Sequence, residues 1–256
     1  METKRDISLI NIGENRSLVI ACDVSGGIGP KSADKIKVSG ELIGHFTTRV
    51  ALMEVLAVGA QPISIIDTLS VEYQPIGRNI IKGIEKAMEE IGLDKKMLNG
   101  STEDNIETSE TGVGITVIGT IQSKNLQINC SNSGDLLVSI GLPMVGQEVL
   151  DSPEMKADIF DLKDLRNKTY VNEIMVVGSK GIKYEADLMA QMSQLKLDYK
   201  KGLNLDIEKS AGPATVILVS ISKNKFLNLR KSFSHKPVHQ IGEFIKKNKM
   251  EVIKNE

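Results

Sequence analysis

The sequence contains no tryptophan, only 4% aromatic residues, three histidines and two cysteines. So few aromatic side chains argue against a surface that stacks nucleic-acid bases. The formal net charge of −1 provides no field for sequence-independent binding of a polyanion. We therefore expect no nucleic-acid partner. Cys22 and Cys130 are too few for a disulfide scaffold and lack metal-ligand spacing, which predicts free thiols in a cytoplasmic protein.

Long hydrophobic runs are also missing. No stretch approaches the roughly 18 unbroken apolar residues that a membrane span needs, and the N-terminus lacks the apolar segment of a signal peptide. We expect neither membrane insertion nor export. Apolar residues nevertheless make up 41% of the 256-residue chain. This composition predicts a globular protein with one large domain or two modest ones.

Hydrophobic periodicity predicts alternating strands and helices in both halves of the chain. In the first half, strands are predicted at 17–23, 62–69 and 112–121, helices at 40–58 and 78–91, and a polar loop at 99–110. The second half repeats this alternation, with strands predicted at 135–140, 173–177 and 215–221 and helices at 158–166 and 183–192. A polar stretch at 122–125 separates the halves. We therefore expect an α+β protein with domains at 1–124 and 125–256.

The first predicted strand ends in Asp23, and a glycine-rich loop follows it directly. Residues 24–34 contain three glycines, one proline and a single lysine, Lys31. Such a composition lets backbone amides approach a ligand closely. The loop is not a Walker A motif, because the four spacer residues are absent and Pro30 lacks an amide hydrogen. It also lacks the third glycine of the dinucleotide fingerprint, since Ser32 stands at that position.

Carboxylates, rather than histidines or cysteines, are the residues that could carry chemistry. The candidate acids are Glu14, Asp23, Glu54, Asp67, Glu103 and Asp104. Mg²⁺ is usually held by one or two carboxylates together with substrate phosphates, so acids near a glycine-rich loop indicate nucleotide chemistry. Plain structural roles stay open: Glu54 fits the solvated face of a helix, and Glu103 and Asp104 fit a solvent-exposed loop. Asp67 interrupts an apolar run, where a charge needs a partner or a ligand.

Five segments of the first half resemble one superfamily in their order along the chain. They read I-A-C-D-V-S-G-G-I-G-P-K, R-V-A-L-M-E-V-L-A-V-G-A-Q-P, I-I-D-T-L, N-G-S-T-E-D-N and T-G-V-G-I-T-V-I-G-T. This order is similar to that of aminoimidazole ribonucleotide (AIR) synthetase and its relatives, which include thiamine-monophosphate kinase and selenophosphate synthetase. The resemblance implies a two-domain α+β fold with an N-terminal domain that pairs with its twin in a homodimer, forming a shared β-barrel. It also implies ATP and Mg²⁺ as cofactors.

Within that superfamily, the combination of G-G-I-G-P-K with G-S-T-E-D-N most resembles α-ribazole kinases of cobamide salvage. The implied function is ATP- and Mg²⁺-dependent phosphorylation of a riboside hydroxyl. A substrate that is a phosphorylated cofactor precursor, such as thiamine phosphate, is an alternative, although Ser101 replaces the aspartate of the G-G-D-T motif. Ring closure as in AIR synthetase and a non-catalytic nucleotide sensor remain further alternatives.

The resemblance also assigns roles to individual residues. It matches Asp23 and Asp67 to acids of the family. On this basis we hypothesise that Asp23, Glu54, Asp67 and Glu103 hold Mg²⁺ ions and that Asp23 and Asp104 are catalytic, with Asp104 accepting the substrate proton. The expected nucleotide-binding residues are Gly13, Asn15, Gly26, Gly27, Gly29, Lys31, Gly100, Ser101 and Thr102. Gly13 and Asn15 enter this set because Gly13-Glu14-Asn15 resembles the G-D-D turn of thiamine-monophosphate kinases.

Overall fold

The structure is a computed structural model that describes residues 2–247, with side chains from residue 5 onward. The chain divides into two compact units, residues 1–126 and 127–256. The domains predicted from the sequence are 1–124 and 125–256. Both units combine helices with a sheet, which confirms the expected α+β class. Among the residues described, no helix combines the length and the apolar character needed to cross a membrane.

The first unit contains a six-stranded sheet with the order β1-β2-β3-β8-β6-β7. Its strands are β1 (Glu2–Lys4), β2 (Ile7–Gly13), β3 (Arg16–Gly26), β6 (Gln61–Leu69), β7 (Leu98–Thr102) and β8 (Gly112–Gln122). A short parallel pair, β4 (Ile28–Gly29) and β5 (Ile36–Lys37), lies within the glycine-rich loop. Two helices complete the unit, α1 (Gly40–Ala57) and α2 (Arg78–Glu90).

Helix α1 covers one face of this sheet, packing on β3, β8 and β6. The helix begins where the Ser39 hydroxyl accepts a hydrogen bond from the Leu42 amide at 3.1 Å, as an N-cap residue does. Alternate strand residues such as Val19, Ile65 and Val117 are fully buried beneath it. Every second side chain of a strand points to the same face of the sheet. Helix α1 therefore buries one face and leaves the other open.

Helices α1 and α2 approach each other unusually closely, because glycines line their contact. A Cβ atom on Gly83 would lie 1.9 Å from the Glu41 carbonyl oxygen, and one on Gly44 would lie 2.2 Å from the Ile80 carbonyl oxygen. No other residue type fits at these two positions without moving the helices apart. The glycines therefore fix α2 as a second layer over α1.

The opposite face of the sheet is not covered within its own unit. On β3, Leu18 and Ile20 are half-buried and Val24 is 78% exposed, while Ile118 on β8 is half-buried beside them. We call this surface, formed by the even-numbered residues of β3 and their partners on β8 and β6, the open sheet face.

The second unit contains a five-stranded antiparallel sheet with the order β10-β12-β9-β13-β11. Its strands are β9 (Asp135–Ile140), β10 (Val171–Val177), β11 (Leu195–Tyr199), β12 (Val216–Ser222) and β13 (Val238–Lys246). Its helices are α3 (Gln147–Asp151), α4 (Ile159–Arg166), α5 (Gly181–Met192) and α6 (Phe226–Ser232). Helix α5 packs on the sheet around a core that includes Ile182, Met189 and Phe244.

One buried carboxylate anchors the start of this unit. Glu173 is fully buried and accepts hydrogen bonds from the amides of Asn129, Cys130 and Ser131 at 2.9–3.0 Å. The Ser131 hydroxyl donates a fourth hydrogen bond at 2.6 Å. Three backbone donors and a hydroxyl offset the desolvation of the charge, so this side chain has a structural role.

Candidate functional site

Two of the predicted acids lie in one row across the sheet. Asp23 on β3 and Asp67 on β6 are each paired with Ile115 on the intervening strand β8. Paired residues of neighbouring strands point to the same face, so both carboxylates lie on the face that α1 covers. With strands spaced by about 4.8 Å, the two aspartates are about 10 Å apart at their Cα atoms. The structure thus brings together acids that are 44 positions apart in sequence.

Asp67 occupies a space that a glycine leaves free. Its carboxylate lies over Gly100 of β7, where a Cβ atom would come within 2.2 Å of the Asp67 carboxyl carbon. Asp67 is only 3% exposed, and this burial raises its pKa from 3.8 to about 6, although the Ser101 amide donates a hydrogen bond that opposes the shift. Gly100 and Ser101, predicted to bind the nucleotide directly, therefore hold a buried carboxylate.

Asp23 is perturbed in the same way. Burial raises its pKa from 3.8 to about 6, while a hydrogen bond from the Val24 amide and the charge of Arg49 act in the opposite direction. The nearby carboxylate of Asp6 raises the pKa further. Asp6 precedes β2, and the β2–β3 pairing brings it to the end of β3 at which Asp23 lies. The sequence analysis missed Asp6, because only this pairing reveals its position.

The predicted four-carboxylate magnesium site is not assembled. Within residues 2–247, the structure contains no group of three or more His, Cys, Asp or Glu side chains that could hold a metal ion. Glu54 lies on the buried side of α1. Glu103 follows β7, and its carboxylate accepts a hydrogen bond from the Asn105 amide at 2.8 Å. Asp23 and Asp67 are separated by a whole strand, and the assignment of Asp23, Glu54, Asp67 and Glu103 to Mg²⁺ stays a prediction.

A sparser arrangement nevertheless fits Mg²⁺. The ion commonly takes only one or two protein carboxylates and completes its shell with water and substrate phosphates. Asp23 with Asp6, and Asp67 separately, provide such carboxylates. A cation bound there would relieve the repulsion between Asp6 and Asp23 and the desolvation that raises both aspartate pKa values.

Gly13 and Asn15 lie away from the two aspartates, and their role in nucleotide binding stays a prediction. Gly13, Glu14 and Asn15 have φ values of 88°, 50° and 57° and form the hairpin turn between β2 and β3. Asn15 precedes β3 and Asp23 lies near its other end, so about 26 Å of strand separates them. These residues adopt the left-handed backbone that a tight hairpin demands.

The glycine-rich loop is held mainly by hydrogen bonds within the protein. The Gly27 amide, predicted to bind phosphate, donates to the Thr111 carbonyl at 3.0 Å and is not available for a ligand. Gly29 has a φ of 152°, and a Cβ there would lie 2.4 Å from the Thr111 hydroxyl oxygen. Gly26 pairs with Gly112 at the end of the β3–β8 ladder. The glycines thus allow the loop to pack closely within the protein, in addition to any contact they make with a ligand.

Two further predicted residues have partners within the protein. The Lys31 ammonium contacts the Glu72 carboxylate at 2.5 Å, where it is expected to bind phosphate. The Asp104 carboxylate accepts hydrogen bonds from the Thr102 hydroxyl at 2.5 Å and the Tyr73 amide at 2.9 Å. These two bonds, the first in particular, lower the pKa of Asp104, which makes it a weak proton acceptor. The proposed role of Asp104 as the base is therefore not favoured.

Comparison with known proteins links this site to a family. Residues 4–121 match the family described as AIR synthase related protein, N-terminal domain. No curated protein matches the chain in sequence.

Three solved structures share the fold. The thiamine monophosphate kinase AaThiL of Aquifex aeolicus, complexed with AMPPCP and TMP, has a TM-score of 0.65 and 15% identity, covering 95% of this chain and 85% of that one. Thiamine-monophosphate kinase from Stenotrophomonas maltophilia has a TM-score of 0.63 and 16% identity, with coverages of 95% and 90%. PurL of Thermotoga maritima, complexed with ADP, has a TM-score of 0.64 and 15% identity, covering 96% of this chain but 43% of PurL. Residues 4–121 are thus similar to the AIR synthase related N-terminal domain, and the chain shares its fold with the two thiamine-monophosphate kinases and with part of PurL.

Proposed function

We propose that the protein is an ATP-dependent kinase of a small molecule. The observation that carries this proposal is the row of Asp23 and Asp67, two acids with pKa values of about 6, next to a glycine-rich loop in an AIR synthase related domain. Buried acids with raised pKa values cluster at functional sites. Structures of the same fold are complexed with AMPPCP and with ADP, which supports a nucleotide as the ligand.

Asp23 and Asp6 are the residues that would hold Mg²⁺, which leaves Asp67 without a cation. The ion would neutralise phosphate charge as the γ-phosphoryl group moves to its acceptor. The chain itself contributes position: β3, β8 and β6 fix the spacing of the two aspartates, and Gly100 together with the Ser101 amide fixes the direction of the Asp67 carboxylate. Phosphoryl transfer depends mainly on such positioning and on electrostatics.

The acceptor hydroxyl needs a base that is unprotonated near neutral pH and whose pKa lies close to that pH. A carboxylate with a pKa of about 6 serves this purpose better than one whose pKa lies below 3.8. We therefore assign proton acceptance to Asp67 rather than to Asp104. Asp104 fixes the turn at Tyr73 through its two hydrogen bonds.

For the acceptor we propose a riboside hydroxyl, with α-ribazole as the first compound to test. This choice rests on the sequence resemblance to α-ribazole kinases. Calorimetry with ATP and Mg²⁺, followed by a screen of ribosides and thiamine monophosphate for ADP release, tests it. ADP release with α-ribazole and with no other acceptor supports this substrate. ADP release with thiamine monophosphate or a purine precursor instead would identify that compound as the substrate. Nucleotide binding without any turnover identifies a sensor instead of an enzyme.

The matched variants Asp23→Asn and Asp198→Asn test the site itself. Asp23→Asn removes a charge from the row, whereas Asp198 is an exposed residue of β11 in the other unit. We expect Asp23→Asn to lower turnover by at least about 100-fold, because one charge-stabilising group is lost, and Asp198→Asn to leave it unchanged. Circular dichroism of both variants should match that of the wild type. Full turnover by Asp23→Asn would remove Asp23 from the mechanism.

We also propose a homodimer that forms through the open sheet face. Its apolar side chains include Leu18, Ile20, Val24 and Ile118, and no element of the first unit covers them. Burial of such a surface against a second copy would remove contiguous apolar area from water. The family resemblance, in which twin domains share a barrel, supports this partner. Sedimentation velocity distinguishes the dimer from a monomer.

A further inference from the structure

Lys31 lies at the centre of a contact network that the proposed chemistry does not use. Its amide donates to Asp34 Oδ2 at 2.8 Å, and its ammonium contacts Glu72 Oε2 at 2.5 Å. The Lys31 side chain is only 12% exposed and that of Glu72 is 24% exposed. This ion pair is partly buried, and it is more restricted in geometry than a fully exposed surface contact.

Both carboxylates also hold a second segment of the chain, residues 108–111. Glu72 Oε1 accepts a hydrogen bond from the Thr108 amide at 2.7 Å. Asp34 accepts hydrogen bonds from both the amide and the hydroxyl of Thr111, each at 2.7 Å. Each carboxylate therefore joins the glycine-rich loop to the same segment. We call Lys31, Asp34, Glu72 and residues 108–111 the clasp.

The clasp lies immediately beyond the strand ends that carry the aspartate row. Gly27 continues the β3–β8 pairing by donating to the Thr111 carbonyl at 3.0 Å, and the Ala33 amide donates to the Ser109 carbonyl at 3.0 Å. Asp23 precedes Gly26, the last residue of β3, by three positions, which corresponds to about 10 Å along the strand. The clasp therefore forms one wall beside the candidate nucleotide site.

We propose that Glu72 is a positioning residue for nucleotide binding, which rests on the proposed function. Glu72 does not contact the phosphates; it holds Lys31 and residues 108–111 together as a preformed wall. Hydrogen bonds donated by the Lys31 ammonium and then by the Thr108 amide lower the pKa of Glu72 to about 2, so it stays ionised across the working pH range. A wall that is already ordered before binding reduces the entropic cost of nucleotide binding, because the loop does not have to become ordered at that step.

The variants Glu72→Gln, Lys31→Met and their combination test this role in the full chain. In nucleotide-free protein, we expect Glu72→Gln to speed hydrogen exchange at the amides of Thr108, Thr111 and Ala33 by about tenfold or more, because local opening becomes easier. Exchange in α2 and in the second unit should not change. The matched control is Glu41→Gln, which removes an exposed partner of Lys86 in the same unit.

Binding of MgATP, measured by calorimetry, provides the second measurement. We expect Glu72→Gln to weaken binding about tenfold, and the same substitution in a Lys31→Met background to add less than about twofold, since both act on one contact. If Glu72 had a merely structural role, Glu72→Gln would lower the thermal midpoint of unfolding. It would leave the affinity for MgATP unchanged, and the two substitutions would show no coupling. Unchanged exchange at residues 108–111, or fully additive losses of affinity, would overturn the proposal. If wild-type protein binds no MgATP, the proposed function fails and the nucleotide role of Glu72 with it, while the exchange result still decides whether Glu72 forms the clasp.

Discussion

The substitution Asp67→Asn should stabilise the N-terminal unit at neutral pH. Folding raises the pKa of Asp67 from 3.8 to about 6, because burial disfavours the ionised form. The difference corresponds to a cost of about 3 kcal/mol for keeping this carboxylate ionised in the folded protein. Asparagine has nearly the same shape, retains an oxygen for the Ser101 amide and carries no charge. We expect a gain in the free energy of unfolding of up to about 3 kcal/mol at pH 7.5.

The pH dependence follows from the direction of the shift. Below pH 3.8, Asp67 is protonated in both the folded and the unfolded chain, so it does not penalise folding. As the pH rises from 3.8 to about 6, the unfolded chain releases this proton first, and stability attributable to Asp67 is lost. Above about pH 6 the penalty is complete. The advantage of Asp67→Asn should therefore grow between pH 4 and pH 6 and then stay constant.

Urea denaturation in EDTA at pH 3.5, 5 and 7.5 measures this advantage without a bound cation. Asp34→Asn is the control with the opposite sign: burial alone would raise the pKa of Asp34, but hydrogen bonds from Thr111 and Lys31 outweigh it and lower the pKa. Asp34→Asn should destabilise the protein at pH 7.5, and less so as the pH falls through the lowered pKa. A less stable Asp67→Asn variant at pH 7.5, or a pH-independent difference, would refute the assignment of Asp67 as a buried functional acid.

Three further changes test the packing and assembly. Gly83→Ala would place a Cβ atom 1.9 Å from the Glu41 carbonyl oxygen, so we expect a loss of about 3 kcal/mol in thermal unfolding experiments. Glu173→Gln weakens the hydrogen bonds that hold residues 129–131 and should cost about 2 kcal/mol, read from the unfolding of the second unit. Ile20→Lys puts a charge on the open sheet face; it should convert a dimer into a monomer in sedimentation velocity, and an unchanged sedimentation coefficient would contradict the proposed interface.

The elements with strong periodicity could be predicted from the sequence. Helix α1 was expected at 40–58 and spans Gly40–Ala57, and α2 was expected at 78–91 and spans Arg78–Glu90. In contrast, β7 was read as part of a polar loop, because Leu98-Asn-Gly-Ser-Thr contains few residues that favour strands. Its parallel pairing with β6 overrides this weak propensity. Local composition could not reveal a strand whose stability comes from its neighbour.

The candidate site likewise contains residues that can be recognised from the sequence and residues that only the fold reveals. Asp23 and Asp67 were recognisable because a carboxylate within or directly after an apolar run has few structural explanations. Asp6 was not recognisable, since its closeness to Asp23 depends on the pairing of β2 with β3. Lys31 looked like a phosphate ligand because a loop lysine beside glycines carries no sign of its partner. Glu72, 41 residues away, determines its role.

The position of Ile115 between the two aspartates has a consequence for the ligand. The strand that carries Ile115 keeps the Cα atoms of Asp23 and Asp67 about two strand spacings, or about 10 Å, apart. The backbone thus fixes the spacing of the two acids, so a ligand that reaches both must match that spacing as well as their charge. An extended chain of phosphates with its cation spans such a distance more readily than a compact anion such as inorganic phosphate. Replacing Ile115 would not change this spacing, because the strand backbone sets it.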